Sequence, residues 1–145
     1  MHARSVAAAA IDGVTGELLQ ARLTPGHDHI RSWIRELPGP VAVTYEAGPT
    51  GFVLARVLNT EGIRCEVAAP SKLQRPSGDR VKTDAKDAVH LARLLRLDEV
   101  TAVVVPSVEQ EAARDLARAR EECRGGSDAR PPPGLEAATA SWHRL

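Results

Sequence analysis

Three carboxylates and the cations around them are the residues of this sequence best equipped to do chemistry. Glu46 lies in the segment Tyr45-Glu46-Ala47-Gly48-Pro49-Thr50-Gly51, and Asp84 and Asp87 lie in Asp79-Arg80-Val81-Lys82-Thr83-Asp84-Ala85-Lys86-Asp87-Ala88. Hard oxygen ligands of this kind suit a divalent cation such as Mg2+. The Lys and Arg interleaved with the aspartates suit a phosphate backbone.

Asp84 and Asp87 are three residues apart, which places them roughly 60° from each other around a helix axis. Leu91 and Leu95 follow on the same stripe, so both carboxylates are expected on the face that carries core leucines. An acid on a buried stripe is costly unless a cation or hydrogen-bond donors satisfy it. The alternative is that both acids favour the positive end of the helix dipole, with Thr83 or Asp84 as N-cap. That accounts for one acid more easily than for two. Glu46 closes a strand just before a Gly-Pro turn, at the carboxyl end where ligands gather in open α/β sheets. Its parity matches Ala42 and Thr44, and the alternative reading is a solvated strand-end acid. Lys72, Arg75, Arg80, Lys82 and Lys86 cluster near the acids, as phosphate contacts or as a solvated charged loop.

The elements that must position these groups follow from hydrophobic periodicity and turn signals. Ser5 to Ile11 and Glu17 to Leu23 read as strands joined by the turn Asp12-Gly13-Val14-Thr15-Gly16. A helix is expected from His27 to Leu37 with Ile30, Trp33, Ile34 and Leu37 on one face, ended by Pro38-Gly39-Pro40. Val41 to Glu46 is a strand, followed by a helix from Gly51 to about Glu61 that Gly62 terminates. Arg64 to Ala69 is the next strand, and Ser71 to Val81 a basic loop. A helix follows from about Asp84 to Leu97, then a short strand over Thr101 to Val105. Ser107 and Gln110 form a capping-box pattern that opens a last helix to about Arg124, with Ala112, Leu116, Ala119 and Cys123 on one face. Strands linked by helices call for parallel pairing, so the expected fold is a mixed α/β sheet flanked by helices, with an antiparallel hairpin at one side.

Composition narrows the function classes. The formal net charge is zero, so no global basic field argues for nucleic acid, and a local patch has to supply any affinity. Aromatics are 3% of residues, so the core is expected to consist of Ala, Val, Leu and Ile and to be marginally stable. Cys65 and Cys123 share no metal-ligand spacing, which makes a reduced, cytoplasmic protein the default. No apolar run reaches bilayer length, and no membrane partner is expected. The five histidines show no metal-ligand spacing, and Ser71, Ser77 and Ser107 have no partner that marks a nucleophile.

Taken together, the strand ending in Tyr45-Glu46-Ala47 with Gly48-Pro49-Thr50-Gly51, then Pro70-Ser71, Gly78 to Asp84, Asp87-Ala88 and Leu91 to Leu95 closely resemble the DEDD-type insertion-sequence transposases, relatives of the Piv/MooV DNA invertases. The resemblance covers roughly residues 2 to 124. It implies a RuvC-like (ribonuclease H-like) domain that holds divalent metal through four acids, the last three matching Glu46, Asp84 and Asp87. It further implies DNA as substrate, a separate C-terminal domain with a nucleophilic serine, multimeric action, and in some members guidance by a bridge RNA. The three acids would ligate Mg2+, while Arg80, Lys82 and Lys86, with Lys72 and Arg75 nearby, would contact phosphate.

Two departures from the family pattern shape the expected domain layout. The family's first acid sits on an opening strand of the form Gly-x-Asp-Val, directly before a segment like His2-Ala3-Arg4-Ser5. The expectation is a start set downstream of that strand, because the Val often found at the position of Met1 can be encoded by GTG, a codon that also serves as a start. Asp12 falls in the hairpin turn and cannot replace the lost acid. Loss of a central strand would leave a ladder of unpaired backbone groups. The second departure is Gly126 to Gly134, where Pro and Gly end a helix abruptly. Read one nucleotide later, one permitted coding of this stretch continues as an amphipathic helix, so a frameshift near Gly125 is expected. The layout is then a RuvC-like domain over 1–106, the start of a long helix over 107–124 and a disordered, out-of-frame tail over 125–145. Such a chain is expected to be a truncated transposase inactive by itself. The competing readings are a stand-alone Holliday-junction-type nuclease, a non-catalytic regulatory fragment, and a pseudogene product.

Overall fold

In a computed structural model, residues 5–48, 51–70, 83–125 and 140–144 are described, the last of these as backbone alone. Their order is β1 (Val6–Asp12), β2 (Leu18–Leu23), α1 (His27–Glu36), β3 (Val41–Glu46), α2 (Val53–Thr60), β4 (Arg64–Ala68), α3 (Asp84–Arg96), β5 (Ala102–Val103), α4 (Val108–Arg124) and β6 (Ala140–Arg144). The strands form one sheet in the order β2-β1-β6-β3-β4-β5. The mixed α/β sheet flanked by helices read from the sequence is therefore the observed fold, and it is consistent with a ribonuclease H-like architecture.

Strand β1 is buried along nearly its whole length, which its run of alanines permits because helices close on both sides of it. Ala8 and Ala10 join Val43, Tyr45, Cys65 and Val67 beneath α1 and α2, whose buried residues are Ile30 and Ile34, and Leu54, Ala55 and Leu58. Ala7, Ala9 and Ile11 point the other way, against Ala88, Val89 and Ala92 of α3. The sheet is thus filled on its two faces by alternate residues of the same strands.

The hairpin joining β1 and β2 is built on Asp12. Its Oδ1 accepts hydrogen bonds from the backbone N–H groups of Val14 (2.8 Å) and Thr15 (3.0 Å). Gly16 completes the turn at φ 75°. The Asp12 carboxylate thus serves the turn.

Pairing departs from expectation in two places. β3 and β4 are parallel, as the helix between them requires, but β5 is antiparallel to β4 and only two residues long. The chain leaving α3 returns along the sheet before pairing, so the Ala69 amide donates to Thr101 O at the carboxyl end of β4. The larger departure is β6, in the stretch read as a disordered tail. It lies parallel to β1 over Ala8–Asp12 and antiparallel to β3 over Val41–Tyr45. The ladder expected to stand open in the sheet centre is closed on both sides by residues 140–144.

Candidate metal centre

Glu46 ends β3, and its neighbour Ala47 donates its amide to Ala68 O (2.9 Å), so the chain is held at the sheet end as it turns away. Parity settles the direction. Val43 and Tyr45 face α1 and α2, so Ala42, Thr44 and Glu46 face the side covered by α3. Glu46 is half-buried there.

Two contacts fix how α3 crosses that face. Arg96, at its C-terminal end, lies against Gly16 of the hairpin, and Asp98 just beyond pairs with Arg64 (2.8 Å) at the start of β4. Both anchors are at the sheet end where β3 begins, because β1 runs antiparallel to β3. From there the thirteen residues of α3 run about 18 Å, with Asp84 and Asp87 in the first turn at the end away from these anchors, and Glu46 likewise lies at the far end of β3.

The local chemistry of the two aspartates answers both sequence readings in part. Thr83 is the N-cap of α3, its hydroxyl accepting from the Lys86 amide at 3.3 Å, and both acids lie in the first turn, where the helix dipole favours them. Asp84 is exposed and Asp87 half-buried. The expectation that both sit on the buried stripe is corrected for Asp84, because full burial along α3 begins only at Ala88, after its first turn. The Thr44 hydroxyl is buried two residues before Glu46, on the same face, and has no hydrogen-bond partner among the described residues. Parity marks its side of the sheet, but the missing partner could not be read from sequence.

Carboxylates are the donor type a hard divalent cation takes. Among the described residues, no three His, Cys, Asp or Glu side chains are gathered as a ligand group. A cation there would have to draw Glu46 toward the first turn of α3. Of the cations, Lys86 is exposed in that same turn, whereas Lys72, Arg75, Arg80 and Lys82 lie outside the described residues.

Below the strand end, the Tyr45 hydroxyl donates to Gly51 O at 3.0 Å. Burial, with the Cys65 thiol nearby, pushes Tyr45 up to about 12, so it remains a neutral donor. The turn after Glu46 is therefore tied to the floor of the sheet. Sequence reading missed this tie because it joins a core-facing residue to a backbone atom.

Residues 1–125 match the DEDD family of the IS110 type, described as Transposase. Among curated proteins, the chain is 33% identical over 129 residues to the transposase for insertion sequence element IS1533 of Leptospira borgpetersenii, a match covering 86% of this chain and 37% of that protein. It is 58% identical over 76 residues to a Sinorhizobium fredii (strain NBRC 101917 / NGR234) protein named as a transposase, y4qE, covering 52% of this chain and 20% of that one. The chain thus spans well under half the length of these relatives. No solved structure matches it. Among the described residues, no helix is long and apolar enough to cross a membrane.

Proposed function

The chain belongs to the DEDD transposase family of the IS110 type, and on that footing we propose that its sheet end at Glu46, Asp84 and Asp87 is a metal-holding site of an insertion-sequence transposase acting on DNA. One observation supports the reading: Glu46 ends β3 on the face that α3 covers, the face that also carries the buried Thr44 hydroxyl with no partner among the described residues, and Asp84 and Asp87 open α3. Glu46, Asp84 and Asp87 would hold the ion through carboxylate oxygens. When bound, such an ion stabilises charge on the attacking and leaving oxygens of a phosphoryl transfer. Lys86 beside Asp87, with Lys72, Arg75, Arg80 and Lys82 earlier in the sequence, would orient the DNA backbone by contact with its phosphates.

Mn2+ titration of the 145-residue chain tests this directly. The wild type is expected to take up the ion, and Glu46→Gln, Asp84→Asn and Asp87→Asn each to weaken uptake by on the order of tenfold, about 1.4 kcal/mol. The reading fails if all three variants bind as the wild type does, or if the wild type does not bind.

A further inference from the structure

Gly51 is held at every side. Its amide donates to Gly48 O at 3.1 Å, its carbonyl accepts from Tyr45, and its φ of +65° is one that L side chains rarely adopt. The remaining side faces α4, where a Cβ on Gly51 would stand 2.9 Å from Glu111 Oε1. The other oxygen of that carboxylate lies 2.6 Å from Arg56 Nη2, and the same nitrogen donates to Pro106 O at 2.8 Å. Both side chains are about three-quarters shielded from water, at 24% and 23% exposure. α4 itself buries no residue, so this knot rather than apolar packing seats its first turn on the domain.

We propose that Arg56 and Glu111 are positioning residues for the turn that follows Glu46, clamping the start of α4 against Gly51 and so fixing the direction in which the Glu46 carboxylate is presented. The role in ion binding rests on the metal reading above; the clamp itself does not. One guanidinium nitrogen, Arg56 Nη2, meets both the Glu111 carboxylate and the Pro106 carbonyl, so a single side chain ties α4 and the segment before it to α2. Gly51 is required twice, once by its backbone conformation and once by the carboxylate packed against its Cα.

Amide spectra and Mn2+ affinity of the full chain test the clamp in Glu111→Ala, Arg56→Ala, the double variant, and Leu116→Ala as a control on exposed α4 surface. Glu111→Ala and Arg56→Ala are expected to move the amide signals of Ala47 and Gly48 and to weaken Mn2+ uptake by on the order of tenfold, as loss of a supporting partner around a metal ligand does. The double variant is expected to be no worse than either single change, and Leu116→Ala to match the wild type. Turn amides unmoved in a folded Glu111→Ala chain would overturn the clamp. Absence of Mn2+ uptake by the wild type would instead overturn the metal reading, while the amide signals still report on the clamp. Glu111→Gln, which keeps shape and loses charge, serves if the alanine variant fails to fold. In addition, Gly51→Ala is expected to lower the melting temperature less in the Glu111→Ala background than in the wild type; equal losses in both would count against the contact.

Discussion

Burial pushes the Cys65 thiol and the Tyr45 hydroxyl up, each to about 12, from ordinary values of 9.0 and 10.0. Both groups give up their protons more readily in the unfolded chain, so the folded state keeps its full advantage below pH 9.0 and loses it as pH rises toward about 12. Melting temperature is therefore expected to fall over that window. Cys65→Ala is expected to remove the part of the decline that starts near 9.0 and to leave the Tyr45 part, starting near 10.0. An unchanged pH profile in the variant would contradict this assignment. At this scale the sequence was partly legible. An N-cap at Thr83 or Asp84, of which the structure takes Thr83, and Glu46 on the parity of Thr44 follow from residue type and spacing. The exposure of Asp84 does not, because periodicity gives the angle around a helix but not where along it burial begins. The contact of Glu111 with Gly51 joins residues 60 positions apart, and no local pattern encodes it.

At the scale of elements, α4 has the clearest local signal and the least tertiary support. Ser107 and Gln110 form the capping box in both directions, at 3.2 and 3.1 Å. The Glu109 carboxyl is held below its usual range by backbone N–H bonding within the first turn and by the Ser107 hydroxyl. Ser107→Ala removes the cap and is expected to cost about 1 kcal/mol. With no residue of α4 buried, that cost should be local, seen as faster amide exchange over 108–112 with little change in global unfolding. Loss of protection throughout the sheet would show that the helix is tied in more tightly than this. The stripe of Ala112, Leu116, Ala119 and Cys123 was correctly legible as helix, but amphipathicity did not reveal that the helix buries none of it. β5 is shorter than its apolar run because only Ala102 and Val103 find partners on β4. Run length measures hydrophobicity, whereas pairing sets the strand.

Across the whole molecule, one segment decides whether the two halves of the sheet are joined. β1 with β2 stands on one side and β3 with β4 and β5 on the other, and β6 is the strand between them. Ser141→Pro removes an N–H from that seam, and the lost bond and its strain are expected to cost about 1–3 kcal/mol. The variant should unfold at lower urea concentration in a single transition; an unchanged midpoint would show that the seam contributes nothing to stability. Composition could not disclose this strand. Its neighbours Pro131 to Gly134 read as a break, and its partners Ala8 and Val43 lie about a hundred or more residues earlier. The order of manufacture then matters. A ribosome releases β1 through α4 before it releases residues 140–144, so the two half-sheets emerge with their facing edges bare. Closure must wait until translation has passed residues 140–144, and until then both strand edges stand open to other molecules.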